Sequence, residues 1–447
     1  MNQEFMKTKP ILPLVMSMSL PMMLSMLINS LYNIVDSMFV ARLGEEALTA
    51  VSLVYPLQTL VTSVSVGFGV GISAAVAFFL GAGERERAQK AASSGLLLSF
   101  VHGILLSAGL IAALPAFLKL FAQEGETLSW GMEYGRIVLG FSTVMTVQIA
   151  FEKIYQSVGN MMVPTVCLAA GCLTNIVLDP VFIFGLGPVP RMEVRGAAVA
   201  TVLGQAVSLI LYLIFYAKRT LGIRLSAGQC MPSKELCARL YLVGVPSSLT
   251  MGLPSALITV LNGLAGMFSP IYILILGVYF KLQSFLYLPA SGIVQGMRPV
   301  LSYNYGAGEE ERMKKTLKIC TALILVIMGA GMLLFLIFPA PVMRMFTQDE
   351  RTVREGALAL RIISLGFVVS GVSVTASGAL EALGQGFASF VISMLRYLAL
   401  IVPAAWLGSR IWGVCGIWAA FPIAECLTAA ASAIIFFSCW QRKIKFD

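Results

Sequence analysis

The chain has 447 residues, of which 58% are hydrophobic and only 12% charged, about half the charged fraction of soluble globular chains. Apolar runs of the roughly 20 residues that cross a bilayer recur from one end to the other, which excludes an ordinary soluble fold, and their length excludes the short alternating strands of a membrane barrel. The net charge of +9 falls mostly in alternate loops, so it speaks for membrane topology and not for nucleic acid.

Met1 to Pro10 is short, and Ile11 opens a full-length span instead of a signal-type apolar region. Predicted spans cover 11–40, 48–80, 91–121, 127–156, 163–184, 195–217, 235–263, 271–304, 316–346, 352–381, 388–408 and 412–439. Pro21, Pro56, Pro246, Pro254 and Pro289 mark candidate bends inside them.

The first span carries NSLYNIVDSMF, whose Asn29, Asn33 and Asp36 recur at helical spacing on one face. Its methionines, Met16, Met18, Met22, Met23 and Met26, suit either varied amphipathic ligands or plain helix packing. The Gly-rich run from Gly69 lacks the phosphate loop GxxxxGK[ST], so the chain supplies no ATP-driven pumping and calls for no cofactor. His102, the sole histidine, sits in the third span and reads as a hydrogen-bonded packing residue. Tyr134 and Gln148 on the fourth span, and Gln205 on the sixth, are candidate lobe-lining groups.

The fifth span reads TNIVLDPVF, with Asn175 and Asp179 one turn apart and Pro180 predicting a bend that frees backbone carbonyls. The eighth carries Lys281, Gln283 and Arg298; either base could line a polar cavity or simply snorkel or pair. Glu381, near a span end, reads as structural, while Arg396 and Glu425 lie deeper in the last spans. The eight cysteines have no metal-ligand spacing and read as small packing residues.

Lys and Arg divide eighteen to eight between the two sets of loops, counting Arg219 and Lys445 with the richer set. Because cytoplasmic loops collect these residues, both termini are expected in the cytoplasm and the span count is even.

An internal repeat lies at an offset of 225 residues: GAGERERAQKAA at Gly81 answers GAGEEERMKKTL at Gly306, and LKLFAQEGET at Leu118 answers MRMFTQDERT at Met343. Pro21 matches Pro246, Gln58 matches Gln283 and Gly159 matches Gly384. The expectation is an all-α polytopic membrane protein of twelve transmembrane helices in two pseudo-symmetric six-helix bundles. Residues 1–220 form an N-terminal lobe, 221–231 a linker and 232–447 a C-terminal lobe. Six spans per lobe give both halves the same direction, as in transporters that rock parallel repeats about a central cavity.

Carboxylates inside spans are costly and mark functional candidates. Asp36 and Asp179, flanked by carboxamides, would form a proton or cation site if they lie close together; near a membrane face they would only cap or bridge helices. The second lobe has Leu261 and Ala404 at the matching positions, so coupling chemistry is concentrated in the first.

LYNIVDSMFVARLG from Leu31, GAGERERAQKAA, TNIVLDPVFIFGLG from Thr174 and YNYGAGEEERMKK from Tyr303 together resemble the multidrug and toxic compound extrusion (MATE) family, in the style of its bacterial DinF-like and MepA-like members. The resemblance implies a V-shaped cell-membrane antiporter, not an enzyme, that expels small amphipathic cations against protons or sodium ions. It assigns coupling to Asp36 and Asp179 with Asn175 beside the latter, makes Pro21 the bend of the first span, and carries Tyr134 over less firmly. The seventh span has no acidic residue after Glu235 up to Gly263, where a sodium-coupled branch would place one, which leaves protons ahead of sodium. A lipid-linked precursor flippase is the alternative, and one chain suffices as a monomer because it holds both lobes.

Overall fold

The computed structural model describes residues 3–121, 125–187, 189–218, 221–226, 228 and 230–444. Arg219, Lys445, positions 122–124 of the second repeated motif and positions 227 and 229 of the linker lie outside the described residues.

Lipid offers the backbone no hydrogen-bond partner, so an apolar run must satisfy its own amides as a helix. The chain accordingly folds into α1 (Phe5–Thr8), α2 (Ile11–Ala41), α3 (Glu45–Gly81), α4 (Arg85–Lys119), α5 (Glu126–Gly140), α6 (Ser142–Ser157), α7 (Met162–Phe184) and α8 (Glu193–Ala217). The second half gives α9 (Lys234–Gly266), α10 (Pro270–Gly306), α11 (Glu310–Ile337), α12 (Pro339–Arg344), α13 (Glu350–Ser364), α14 (Phe367–Ala382), α15 (Gly386–Met394), a π-helical turn Leu395–Ala399, α16 (Ile401–Trp412) and α17 (Val414–Ile444). Among the described residues ten helices can cross a membrane, and two pairs, α5–α6 bent by 44° and α13–α14 bent by 50°, bring the total to twelve. The all-α, twelve-span expectation holds.

The helices do not break at the prolines. α2, α3, α9 and α10 run on through Pro21, Pro56, Pro246, Pro254 and Pro289. α7 also continues past Asp179 and Pro180 to Phe184. The breaks fall instead at Phe141 and at Leu365–Gly366, again 225 residues apart. Serines take over the freed carbonyls: Ser107 Oγ lies 2.7 Å from the Leu139 oxygen and 2.8 Å from that of Gly140, and Ser142 Oγ donates to Leu139. A side chain inserted into the helical ladder is a recognised cause of a kink. The repeat extends to backbone geometry, since Gly83 and Gly308 both take positive φ, 79° and 69°.

The two halves meet at the end that carries the termini. A buried cluster there joins Met18, Met22, Phe68 and Ile72 to Leu240, Val300 and Tyr303 of the second half. Contact is backbone to backbone: a Cβ on Gly81 would stand 1.8 Å from the Tyr303 oxygen, and one on Gly306 2.0 Å from that of Phe78. Only glycine permits such an approach, and both positions are equivalent in the repeat. On the far halves of α9 and α10, Gly252, Gly263 and Gly277 face open space. There the first half has its own core, which includes Val54, Leu114, Tyr134 and Ile183 and draws no member from the second.

Candidate functional site

The site begins with two glycines. A Cβ on Gly171 of α7 would stand 2.7 Å from the Gly204 oxygen of α8, and the reverse distance is also 2.7 Å. Small residues let membrane helices pack this closely. Asn175, one turn beyond Gly171, is thereby set against Thr201. With its amide oriented to suit both neighbours, Asn175 donates to Asp179 Oδ2 at 2.9 Å and accepts from the Thr201 N–H at 2.9 Å.

α2 docks on α7 where Ser25 Oγ and Thr165 Oγ1 lie 2.8 Å apart, with Thr165 Oγ1 3.0 Å from the Pro21 oxygen. About three turns further along α2, the Asp36 carboxyl comes to lie beside that of Asp179. Asp179, Asn175 and Tyr134 are almost fully buried, whereas Asp36 is half-buried. The hydroxyls of Tyr32 and Tyr134 both reach the Thr201 side chain, and Gln58 Nε2 lies 3.4 Å from the Tyr134 hydroxyl. Asp36 Oδ1 and Asp179 Oδ1 are buried without a hydrogen-bond partner.

Two ionised carboxylates this close repel, and a proton shared between them would relieve the repulsion. Such a pair is chemically able to take up a proton and, without it, presents buried negative charge. Asn175 gives the pair a donor in this orientation and would give an oxygen if its amide turned over. A hard cation such as sodium is held by oxygen ligands, several of them in a protein cage.

The structure thus brings together Asp36, Asp179, Asn175 and Tyr134. It does not draw in every sequence candidate. Asn29 and Asn33 are exposed, and Asn33 Nδ2 is spent on the Asn29 oxygen of its own helix at 2.7 Å. Gln148 is buried on α6 with Oε1 unpartnered, Gln205 and Gln283 are half-buried, and Lys281 is exposed. Arg298 forms an ion pair with Glu381 at the closed end, where Ser247 and Ser389 also reach Glu381. Tyr32 and Thr201 escaped the sequence reading, because a tyrosine and a threonine in a span carry no spacing signal.

Lys153, inside the predicted fourth span and on its terminus-side end, is a buried residue of α6. It bonds Glu152 at 2.9 Å and Gln156 at 3.1 Å, and reaches across to Gln295 of the second half at 3.4 Å. With Arg298 and Glu381 it lines a small pocket between the halves. His102 Nε2 lies 2.8 Å from the Tyr241 hydroxyl, edge-on to Phe68, in the packing role expected of it. In the second half Arg396, on the π-helical turn, bonds Glu425 at 2.8 Å and Tyr287 at 2.9 Å. Among the described residues no group of three or more His, Cys, Asp and Glu could hold a metal ion.

The family model MatE matches residues 21–181 and 246–407, one match in each half of the repeat. A multidrug export protein, MepA, of Staphylococcus haemolyticus is 24% identical over 428 residues, 96% of this chain and 93% of the relative. An FAD transporter of Shewanella oneidensis is 27% identical over 425 residues, 94% of this chain and 93% of the relative. Among solved structures, an outward-facing multidrug resistance MATE transporter superposes with a TM-score of 0.91 at 24% identity, covering 99% of this chain and 98% of the other.

Proposed function

The chain belongs to the MatE family of secondary transporters, and from that premise we propose that it expels small amphipathic cations in exchange for protons taken up at Asp36 and Asp179. The observation that carries this reading is the convergence of two carboxyls inside the membrane-spanning helices α2 and α7, Asp179 buried and Asp36 half-buried beside it. Deprotonated, the pair attracts an organic cation into the space beside the first lobe. Protonated, it closes on itself and the cation loses its counter-charge. Proton and cation therefore exclude one another, which ties the gradient to export and prevents leakage.

The excess of Lys and Arg on the loops of the closed end supports a cytoplasmic location for both termini. The V then opens outward, and a proton from outside reaches the half-buried Asp36 before Asp179. Release of the cation leaves the lobes free to rock about their shared contact, and the proton departs once the other end opens. The lack of an acidic residue in the seventh span after Glu235 up to Gly263 supports protons over sodium as the coupling ion.

A lipid-linked precursor flippase would need basic groups free to meet an anionic headgroup. Arg298 is paired with Glu381 and Arg396 with Glu425, and of the three candidate bases Lys281 alone is exposed. The drug-export reading also accords with the name of the Staphylococcus relative. Reconstituted vesicles decide the matter: impose pH and sodium gradients separately, and follow a fluorescent organic cation and FAD in parallel. Cation movement driven by the pH gradient is expected. Movement of FAD alone, or of neither solute, would reject cation export.

A further inference from the structure

Residues 3–9 are packed where the two lobes meet, although no span requires them there. On the first-lobe side, a Cβ on Gly159 would stand 2.5 Å from Cζ of Phe5, so the ring lies directly on the turn after α6. The Met6 side chain is fully buried in the cluster that joins Leu14 and Met18 to Val300 and Tyr303. On the second-lobe side, the Met6 carbonyl accepts from Asn304 Nδ2 at 3.1 Å and from Arg312 Nε at 3.0 Å. Arg312 also donates to the Lys9 carbonyl, and Lys7 Nζ lies 2.9 Å from Glu309 Oε1.

The chemistry has a local logic. α1 has only four residues, and the last carbonyls of any helix have no partner within it. Here the second lobe supplies the donors from Asn304 at the end of α10 and Arg312 at the start of α11, on either side of the GAG motif found twice in the sequence. The equivalent turn of the first lobe, at Gly81, packs against Tyr303 instead. One short segment therefore ties first-lobe Gly159 to second-lobe Asn304, Glu309 and Arg312. Hydrogen bonding to Glu309 holds the Lys7 ammonium above its ordinary pKa, so the tie stays charged at neutral pH.

We propose that residues 3–9 are a latch that holds the two lobes together at the end carrying the termini, and that this segment must leave the second lobe before that end can open. The latch rests on the lobes rocking and not on which solute they carry. Opening separates the Gly159 turn from the Glu309 turn, and α1 cannot stay on both. Its contacts therefore stabilise the closed-terminus state alone and set how readily the other state is reached.

Two experiments test this on the full-length protein, with the half-buried and exposed cysteines replaced by serine. In the first, Lys7→Cys and Glu309→Cys are introduced together and oxidised, the cross-link being verified by mass spectrometry. Transport of the fluorescent cation should stop and return on reduction. Cross-linked protein that transports at the reduced rate overturns the latch. In the second, spin labels at Glu86→Cys and Lys315→Cys report the separation of the lobes at this end, with and without residues 2–9. Deletion should raise the wide-separation population about twofold or more. An unchanged distance distribution in a monodisperse deletion variant also overturns it. Because the distance readout needs no transported solute, it decides the latch even if the cation-export reading fails.

Discussion

Asp36 and Asp179 lie 143 positions apart in sequence and side by side in the structure. A half-buried carboxyl beside a fully buried one gives the pair a reachable member and a sheltered one. Asp36→Asn removes the reachable charge while preserving shape and hydrogen-bonding capacity. Proton-driven export should then be lost, because the ~5–150-fold effect typical of a coupled site on its partner's affinity has nothing left to act through. Vesicle uptake assays, with size-exclusion profiles to verify folding, measure this; a variant that still follows the pH gradient would remove Asp36 from the mechanism. Both carboxyls were legible from sequence because ionised groups stand out in apolar runs. Tyr32 and Thr201 were not, since they acquire meaning only when α2, α7 and α8 converge.

At the scale of helices, close approach and buried charge set the tolerances. On α7, a Cβ at Gly171 would meet Ser208 Oγ at 2.1 Å as well as the Gly204 backbone, so Gly171→Val must push α8 away. Overpacking of this kind costs about 1–3 kcal/mol, and the shift separates Asn175 from Thr201. A lower thermal midpoint in detergent together with slower export is the expected result. The π-helical turn makes a different prediction. Arg396 and Glu425 neutralise each other inside the second lobe, and removing one partner of a buried pair costs about 3–5 kcal/mol, whereas replacing both with apolar groups can be neutral. Arg396→Met should therefore lower the melting temperature more than Arg396→Met combined with Glu425→Met, as thermal denaturation would record. Sequence periodicity located these helices because lipid demands long apolar runs. It did not locate the break at Phe141, because the groups beside it are serines, Ser107 and Ser142, which carry no signal until a neighbouring helix packs there.

The whole molecule combines a symmetric frame with asymmetric chemistry. Glycines at equivalent positions, Gly81 and Gly306, bring the lobes to backbone contact, and the 225-residue offset made that frame readable from the chain alone. The carboxyl pair belongs to one lobe only, as the replacement of its carboxylates by Leu261 and Ala404 indicated. A binding equilibrium follows that can be measured without a gradient. On the open side, acid protonates the pair and removes the charge that holds an organic cation, so the apparent affinity must fall as pH is lowered. Asp36→Asn and Asp179→Asn should each flatten this dependence, while exchange of sodium for potassium at constant ionic strength should leave it unchanged. Because linkage is reciprocal, saturating cation must also release protons from the detergent-solubilised protein into weakly buffered solution. Fluorescence titration of the cation and pH-electrode recording of the released protons test the two faces of one quantity. Agreement between them in the native protein, together with loss of both effects in Asp36→Asn and Asp179→Asn, would make the carboxyl pair the point of exchange; affinity that ignores pH, with no proton released, would reject proton coupling.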